Sequence, residues 1–248
     1  MNPEYQELAP ETAPLPAETF WGYADLALFL GAALPSLVLS ALILRGALAL
    51  ARAAFSSDSA KTLTVQALSY LFMTGALYLI VAGKYRRPFL ASMGWSASIL
   101  RASPLLAAGP ALAIGIGGLG VALGLPAEPS KIEFLITGRM WLLIWAFVGV
   151  LLAPAFEETL FRGFLFPLLT KTFGPYLAIF LTAIPFGLLH GAQNHWAWQP
   201  IVLIALAGAA FGWVRYRTGS TAAAFLLHAA YNGTEFVLFA IQRWSMLK

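Results

Sequence analysis

Between Trp141 and Phe166 the chain is apolar throughout except for a central cluster, Glu157-Glu158-Thr159-Leu160-Phe161-Arg162. A helix of about 20 apolar residues already crosses the hydrocarbon core of a bilayer. No water is available there to bond the backbone, so such a run has to be helical. Each charge inside it costs roughly 2.5 to 3.5 kcal/mol on insertion scales and needs a reason to be there. On a helix Glu158 and Arg162 stand at i and i+4 on one face and can neutralise each other. Glu157 is rotated by about 100° from that face. It has no cation nearby in the sequence, so it is the carboxylate left over for chemistry.

Similar runs recur along the chain. They are read as spans over about Trp21–Leu44 (with an interfacial extension to about Phe55), Leu63–Val81, Pro104–Leu125, Arg139–Thr170, Tyr176–His190, Ile201–Val214 and Ala222–Ile241. The expected fold is therefore all-α, a polytopic membrane helix bundle of about seven transmembrane spans. Composition agrees: 60% of residues are hydrophobic and 10% charged, against about 25% charged in soluble domains. Pro154 is expected to kink the fourth span just before its charged cluster, and Gly174-Pro175 to turn the chain after it. The third span carries Gly109, Gly115, Gly117, Gly118, Gly120 and Gly124, small residues that let helix backbones pack closely in lipid. Residues 1–20 hold four Glu and four Pro without Lys or Arg, unlike the basic start of a signal peptide, and are read as a polar mobile tail. Residues 21–248 form the transmembrane domain, with a catalytic core over about 139–241.

The absence of cysteine excludes disulfides, thiol catalysis and cysteine metal sites. The net charge of +4 comes from Lys and Arg scattered near span ends, where lipid headgroups anchor them. Membrane lipids are thus expected partners and nucleic acid is not. Lys and Arg divide equally between the two faces, seven to seven with Arg162 buried, so the positive-inside rule leaves the orientation open. The expected location is the cell inner (plasma) membrane.

Two further polar sites lie inside spans: His190, four residues after Phe186, and His228 with Asn232 at i+4. Counted at about 1.5 Å per residue from the face of the Gly174-Pro175 turn, Glu157 lies about 21 Å deep, His190 about 22 Å, Asn232 about 19 Å and His228 about 13 Å. Three helices thus bring ionisable or amide groups to nearly one level. His195, beside Trp196 and Trp198, reads instead as an exposed histidine of the membrane interface.

A carboxylate beside an imidazole can hold and deprotonate water, and a His-Asn pair can donate to the oxyanion of a tetrahedral intermediate. The reaction this suggests is addition of water to an amide. No His-Glu-x-x-His, Gly-x-Ser-x-Gly, pair of membrane aspartates or Walker loop occurs, so competing hydrolase and ATPase schemes lack their residues. A proton-coupled transporter can use buried Glu, Arg and His as a relay, but the paired repeats common in transporters are not evident. A catalytically idle immunity or scaffold protein of the same fold is the third alternative.

Three motifs occur in order on separate spans: Glu-Glu-x-x-x-Arg at Glu157–Arg162, Phe-x-x-x-His at Phe186–His190 and His-x-x-x-Asn at His228–Asn232. In this the chain resembles the CAAX protease and bacteriocin-processing (CPBP or Abi) family of glutamate-dependent intramembrane proteases, which includes the Ras-converting CAAX prenyl endopeptidase. The likeness covers about Arg139 to Ile241. It implies an intramembrane endopeptidase whose substrate is a peptide or protein with a membrane-embedded or C-terminal cleavage segment. It further implies that Glu157 and His190 activate the water, that His228 and Asn232 hold the oxyanion, and that Glu158, Arg162 and Phe186 give structural support. No cofactor is expected. Zinc on Glu157, His190 and His228 is the alternative set, disfavoured because an amide beside His228 suits an oxyanion better than a metal shell.

Overall fold

The computed structural model describes residues 19–50, 57–95, 104–125 and 129–247. Residues 1–18 of the expected tail and the interfacial extension beyond Leu50 lie outside the described residues. The described chain forms α1 (Tyr23–Leu50), α2 (Asp58–Lys84), the short α3 (Phe89–Ser92), α4 (Pro104–Ala122), the short α5 (Lys131–Leu135), α6 (Arg139–Phe173), α7 (Pro175–Leu189), α8 (Trp198–Thr218) and α9 (Thr221–Arg243). Six of these are long and apolar enough to cross a membrane, and α7 is a shorter apolar helix. The fold is an all-α membrane bundle for which about seven spans are plausible.

Polar residues at the span ends set the boundaries. Ser57 and Ser220 cap the N-termini of α2 and α9, each hydroxyl accepting the amide three residues on, from Ala60 and Ala223. Ser130 and Glu133 close a reciprocal capping box on α5, which satisfies donors that a helix start would leave bare. Gly174 (φ 76°) separates α6 from α7, and Gly219 (φ 66°) separates α8 from α9. Only glycine takes up this left-handed backbone without strain.

The outward faces remain apolar, with Leu34 68%, Val121 80% and Ile241 74% exposed, as a lipid-facing surface requires. Inside, backbones approach where a side chain is missing. A Cβ on Gly109 of α4 would lie 2.3 Å from Ala230 Cβ of α9, and one on Gly187 of α7 would lie 2.5 Å from the Ile201 carbonyl of α8. Within the glycine-rich α4, Gly109 makes the tight contact and Gly120 meets Leu203 at 3.2 Å, whereas Gly115, Gly117 and Gly118 face open space. The close packing expected of this span thus rests mainly on one glycine.

Helix α6 runs without a break from Arg139 to Phe173, so Pro154 does not interrupt it. Two π-turns, Val148–Leu152 and Thr159–Leu165, absorb the irregularity. The Ala153 amide reaches back five residues to the Val148 carbonyl, and the Phe166 amide does the same to Phe161. Each of these amides is followed by a proline, Pro154 or Pro167, which has no N–H to donate. The carbonyls of Gly149 and Arg162 therefore lose both intrahelical donors, at i+4 and at i+5. Side chains from neighbouring helices replace them: Asn232 Nδ2 of α9 donates to Gly149 O at 2.7 Å and Arg215 Nε of α8 to Arg162 O at 3.0 Å. Wide turns of this kind are tolerated in lipid only where something re-satisfies the freed carbonyls.

Candidate active site

The second π-turn begins at Thr159, immediately after Glu157 and Glu158 on α6, so these two carboxylates sit at the point where the helix widens. Glu158 and Arg162 are fully buried and joined at 2.8 Å through Arg162 Nη1 and Glu158 Oε1. Arg162 Nη2 donates to the carbonyl of Gly208. Its guanidinium lies 4.8 Å from the ring centre of Phe186, 5.4 Å from that of Phe211 and 5.7 Å from that of Phe161. A buried charge needs this kind of enclosure, since stranding it is costly. The glycine at 208 makes room, because a Cβ there would stand 2.8 Å from Phe186 and 3.3 Å from Arg162.

His228 of α9 is buried between the two glutamates. Its Nδ1 lies 2.9 Å from Glu158 Oε1 and its Nε2 lies 3.7 Å from Glu157 Oε2. Paired with Arg162, Glu158 is an acceptor, so the proton on the Glu158 side sits on Nδ1 and Nε2 faces Glu157. The ring stacks on Phe211 at 4.4 Å and meets the Phe186 ring edge-on at 5.6 Å. The motif spacing did not disclose the Glu158–His228 bond, which joins residues 70 apart. Glu158 thus does more than neutralise Arg162: it also fixes the orientation of a histidine at the site.

His190 caps the C-terminus of α7. Its Nδ1 lies 2.8 Å from the Phe186 carbonyl, which can only accept, so Nδ1 carries the proton and Nε2 keeps a lone pair. Asn194 Nδ2 donates to the His190 carbonyl at 2.9 Å and secures the helix end. The Phe186 ring lies 5.0 Å from that of His190 and 5.6 Å from that of His228, forming one wall of the site. The amide of Asn232 is held by Gly149, and among the described residues its second N–H meets no protein acceptor.

Glu157, His190, His228 and Asn232 all line one cavity of about 360 Å³, together with Phe186 and Glu235. This is within the range of about 300 to 1,000 Å³ usual for ligand sites. Glu133, Glu157 and Glu235 contribute carboxylates, and no Lys or Arg is among the lining residues described. Tyr70 of α2, stacked on Phe156 at 4.4 Å, turns its hydroxyl toward Glu157 and accepts from Gln66 at 2.8 Å. Sequence reasoning missed Tyr70, Gln66 and Glu235; polar residues inside apolar helices were the available signal. His195 is exposed, in the loop after α7. Among the described residues no three His, Asp or Glu side chains are grouped to hold a metal ion. Of the alternative zinc set, Glu157, His190 and His228 all line this cavity, with His228 Nε2 3.7 Å from Glu157 Oε2.

Residues 139–234, from the start of α6 through Asn232 on α9, match the family model described as type II CAAX prenyl endopeptidase Rce1-like. Over this segment the chain is similar to the Rce1-like endopeptidases. The matched segment takes in Glu157, His190, His228 and Asn232 and both π-turns of α6, and excludes α1 to α5. At the level of the family it supports a CAAX-type intramembrane endopeptidase. No curated protein and no solved structure matches the chain.

Proposed function

We propose that this protein hydrolyses a peptide bond of a membrane-associated or C-terminal segment within the bilayer, using Glu157 and His190 to activate water and His228 and Asn232 to hold the oxyanion. The observation that carries this reading is the convergence of those four side chains, from three helices, on one cavity. Glu157 takes a proton from a water that the lone pair of His190 Nε2 helps to orient, and the hydroxide oxygen adds to the carbonyl carbon. The carbonyl oxygen becomes an oxyanion facing the second N–H of Asn232. Carrying protons on both nitrogens, His228 donates to Glu158 from Nδ1 and toward the oxyanion from Nε2. The C–N bond then breaks as the proton held by Glu157 passes to the leaving nitrogen, giving a carboxylic acid and an amine, and the acid's proton passes to the amine in solution to leave a carboxylate and an ammonium. Glu158 and Arg162 keep His228 in register, and the rings of Phe186 and Phe211 exclude water from the ion pair.

The test uses purified full-length protein in detergent with a panel of quenched peptides bearing transmembrane or C-terminal segments, some of them prenylated. Wild type should release two products from at least one peptide, and Glu157→Gln should release none while melting at the parent temperature. Turnover should also survive prolonged chelation. Cleavage by Glu157→Gln at the wild-type rate would overturn the assignment. Proton flux coupled to substrate, without cleavage, would favour a transporter.

A further inference from the structure

We infer that Pro154, which touches no substrate, is a positioning residue for Asn232, acting through the carbonyl that it leaves without a donor. The inference rests on the oxyanion role given to Asn232 above. In an unbroken α-helix Gly149 O would be bonded by the amide of residue 153. The π-turn diverts that amide to Val148 O, and the next residue able to reach the carbonyl, at i+5, is Pro154. An alanine at 154 would present an N–H where proline has none. The bond from Asn232 to Gly149 O thus depends on a missing backbone proton one turn of α6 away.

The surrounding packing serves the same contact. A Cβ on Gly149 would lie 2.6 Å from the Phe236 ring, one turn after Asn232 on α9, so only glycine lets that face of α9 come close enough. Asn232 has two amide protons and one is taken by Gly149 at 2.7 Å. That bond fixes the plane of the amide and hence the direction of the second proton. Freed from it, the side chain can rotate, and a donor that must meet a forming oxyanion loses its preorganisation. The same device recurs further along α6, where Pro167 leaves Arg162 O to Arg215. Its recurrence supplies an internal control.

The test is a pair of double-mutant cycles on the full-length protein. The first reads melting temperature and needs no substrate. Asn232→Ala should lower it by about 2 to 4 °C in the wild-type background, because Gly149 O then loses its one protein donor among the described residues. In the Pro154→Ala background the loss should be at most half as large, because the new amide bonds that carbonyl. Asn232→Asp, which sets a carboxylate oxygen against Gly149 O, provides the same cycle where the alanine variant does not fold. Pro167→Ala should show no coupling to Asn232. Equal losses with and without Pro154 would overturn the inference whatever the enzyme does.

The second cycle reads turnover on a peptide that wild type cleaves and Glu157→Gln does not. Pro154→Ala should lower kcat about tenfold with KM little changed, and in combination with Asn232→Ala should add nothing further. Multiplicative losses in kcat would assign Pro154 a general structural role and refute positioning. Failure of wild type to cleave any peptide would overturn the proposed function, and the melting cycle would still decide the hydrogen bond.

Discussion

At the residue scale, what the charged cluster does depends on which carboxylate has a partner. Glu158 receives both Arg162 and His228, whereas Glu157 meets no cation closer than His228 Nε2 at 3.7 Å among the described residues, has the Tyr70 hydroxyl turned toward it, and lines the cavity. Removing either half of the buried pair leaves the other charge stranded, at about 3 to 5 kcal/mol. Glu158→Ala and Arg162→Ala should therefore each lower the yield of folded protein and its melting temperature, while Glu157→Ala should not. Variants at 158 and 162 as stable as the parent, in a detergent thermal melt, would contradict the pairing. The pair was legible in the sequence because i and i+4 share a helix face. The second bond of Glu158 was not, since it joins α6 to α9 and local spacing carries no information about which helices pack together.

At the element scale, the span limits followed from hydropathy and from Gly174-Pro175, and α6 was read to within three residues of its end at Phe173. Pro154 signalled an irregularity there, but not its form. A proline removes one helical donor wherever it stands, and the group that meets the carbonyl left bare, here Asn232, comes from a neighbouring helix. The motif His-x-x-x-Asn placed both side chains on one face of α9, and the cavity receives both. If they share one oxyanion, His228→Ala and Asn232→Ala should each reduce turnover by on the order of 10² to 10³. Substrate binding should change little, and the double variant should fall short of the product of the two effects. A fully multiplicative double variant in steady-state kinetics would mean that the two groups act on separate steps.

At the scale of the whole molecule, depth counted from the turns at Gly174-Pro175 and Gly219 brings Glu157, His190 and Asn232 to a common level. The cavity that they line together with His228 is the three-dimensional counterpart of that count. Depth fixes one coordinate of three. The aromatic wall of Phe186 and Phe211 and the contact of Gly109 with Ala230 depend on how the helices turn about their axes. That rotation is not written in apolar runs, because in lipid every outward face is apolar too. The cavity also has a charge bias, with three glutamates and no described Lys or Arg along its lining. Close carboxylates favour cations over anions, so among quenched peptides of one sequence a lysine near the scissile bond should be cleaved faster than a glutamate there. Equal rates for the two peptides would remove charge from the account of specificity.

The central claim is that Glu157 drives hydrolysis inside the membrane. The most direct measurement compares, by mass spectrometry of membrane-protein termini, cells that express the wild type, Glu157→Gln or neither, with both proteins at equal abundance. The account predicts a set of new chain ends that appear with the wild type and vanish with Glu157→Gln, while the corresponding intact chains accumulate. The same new ends in both strains would contradict it.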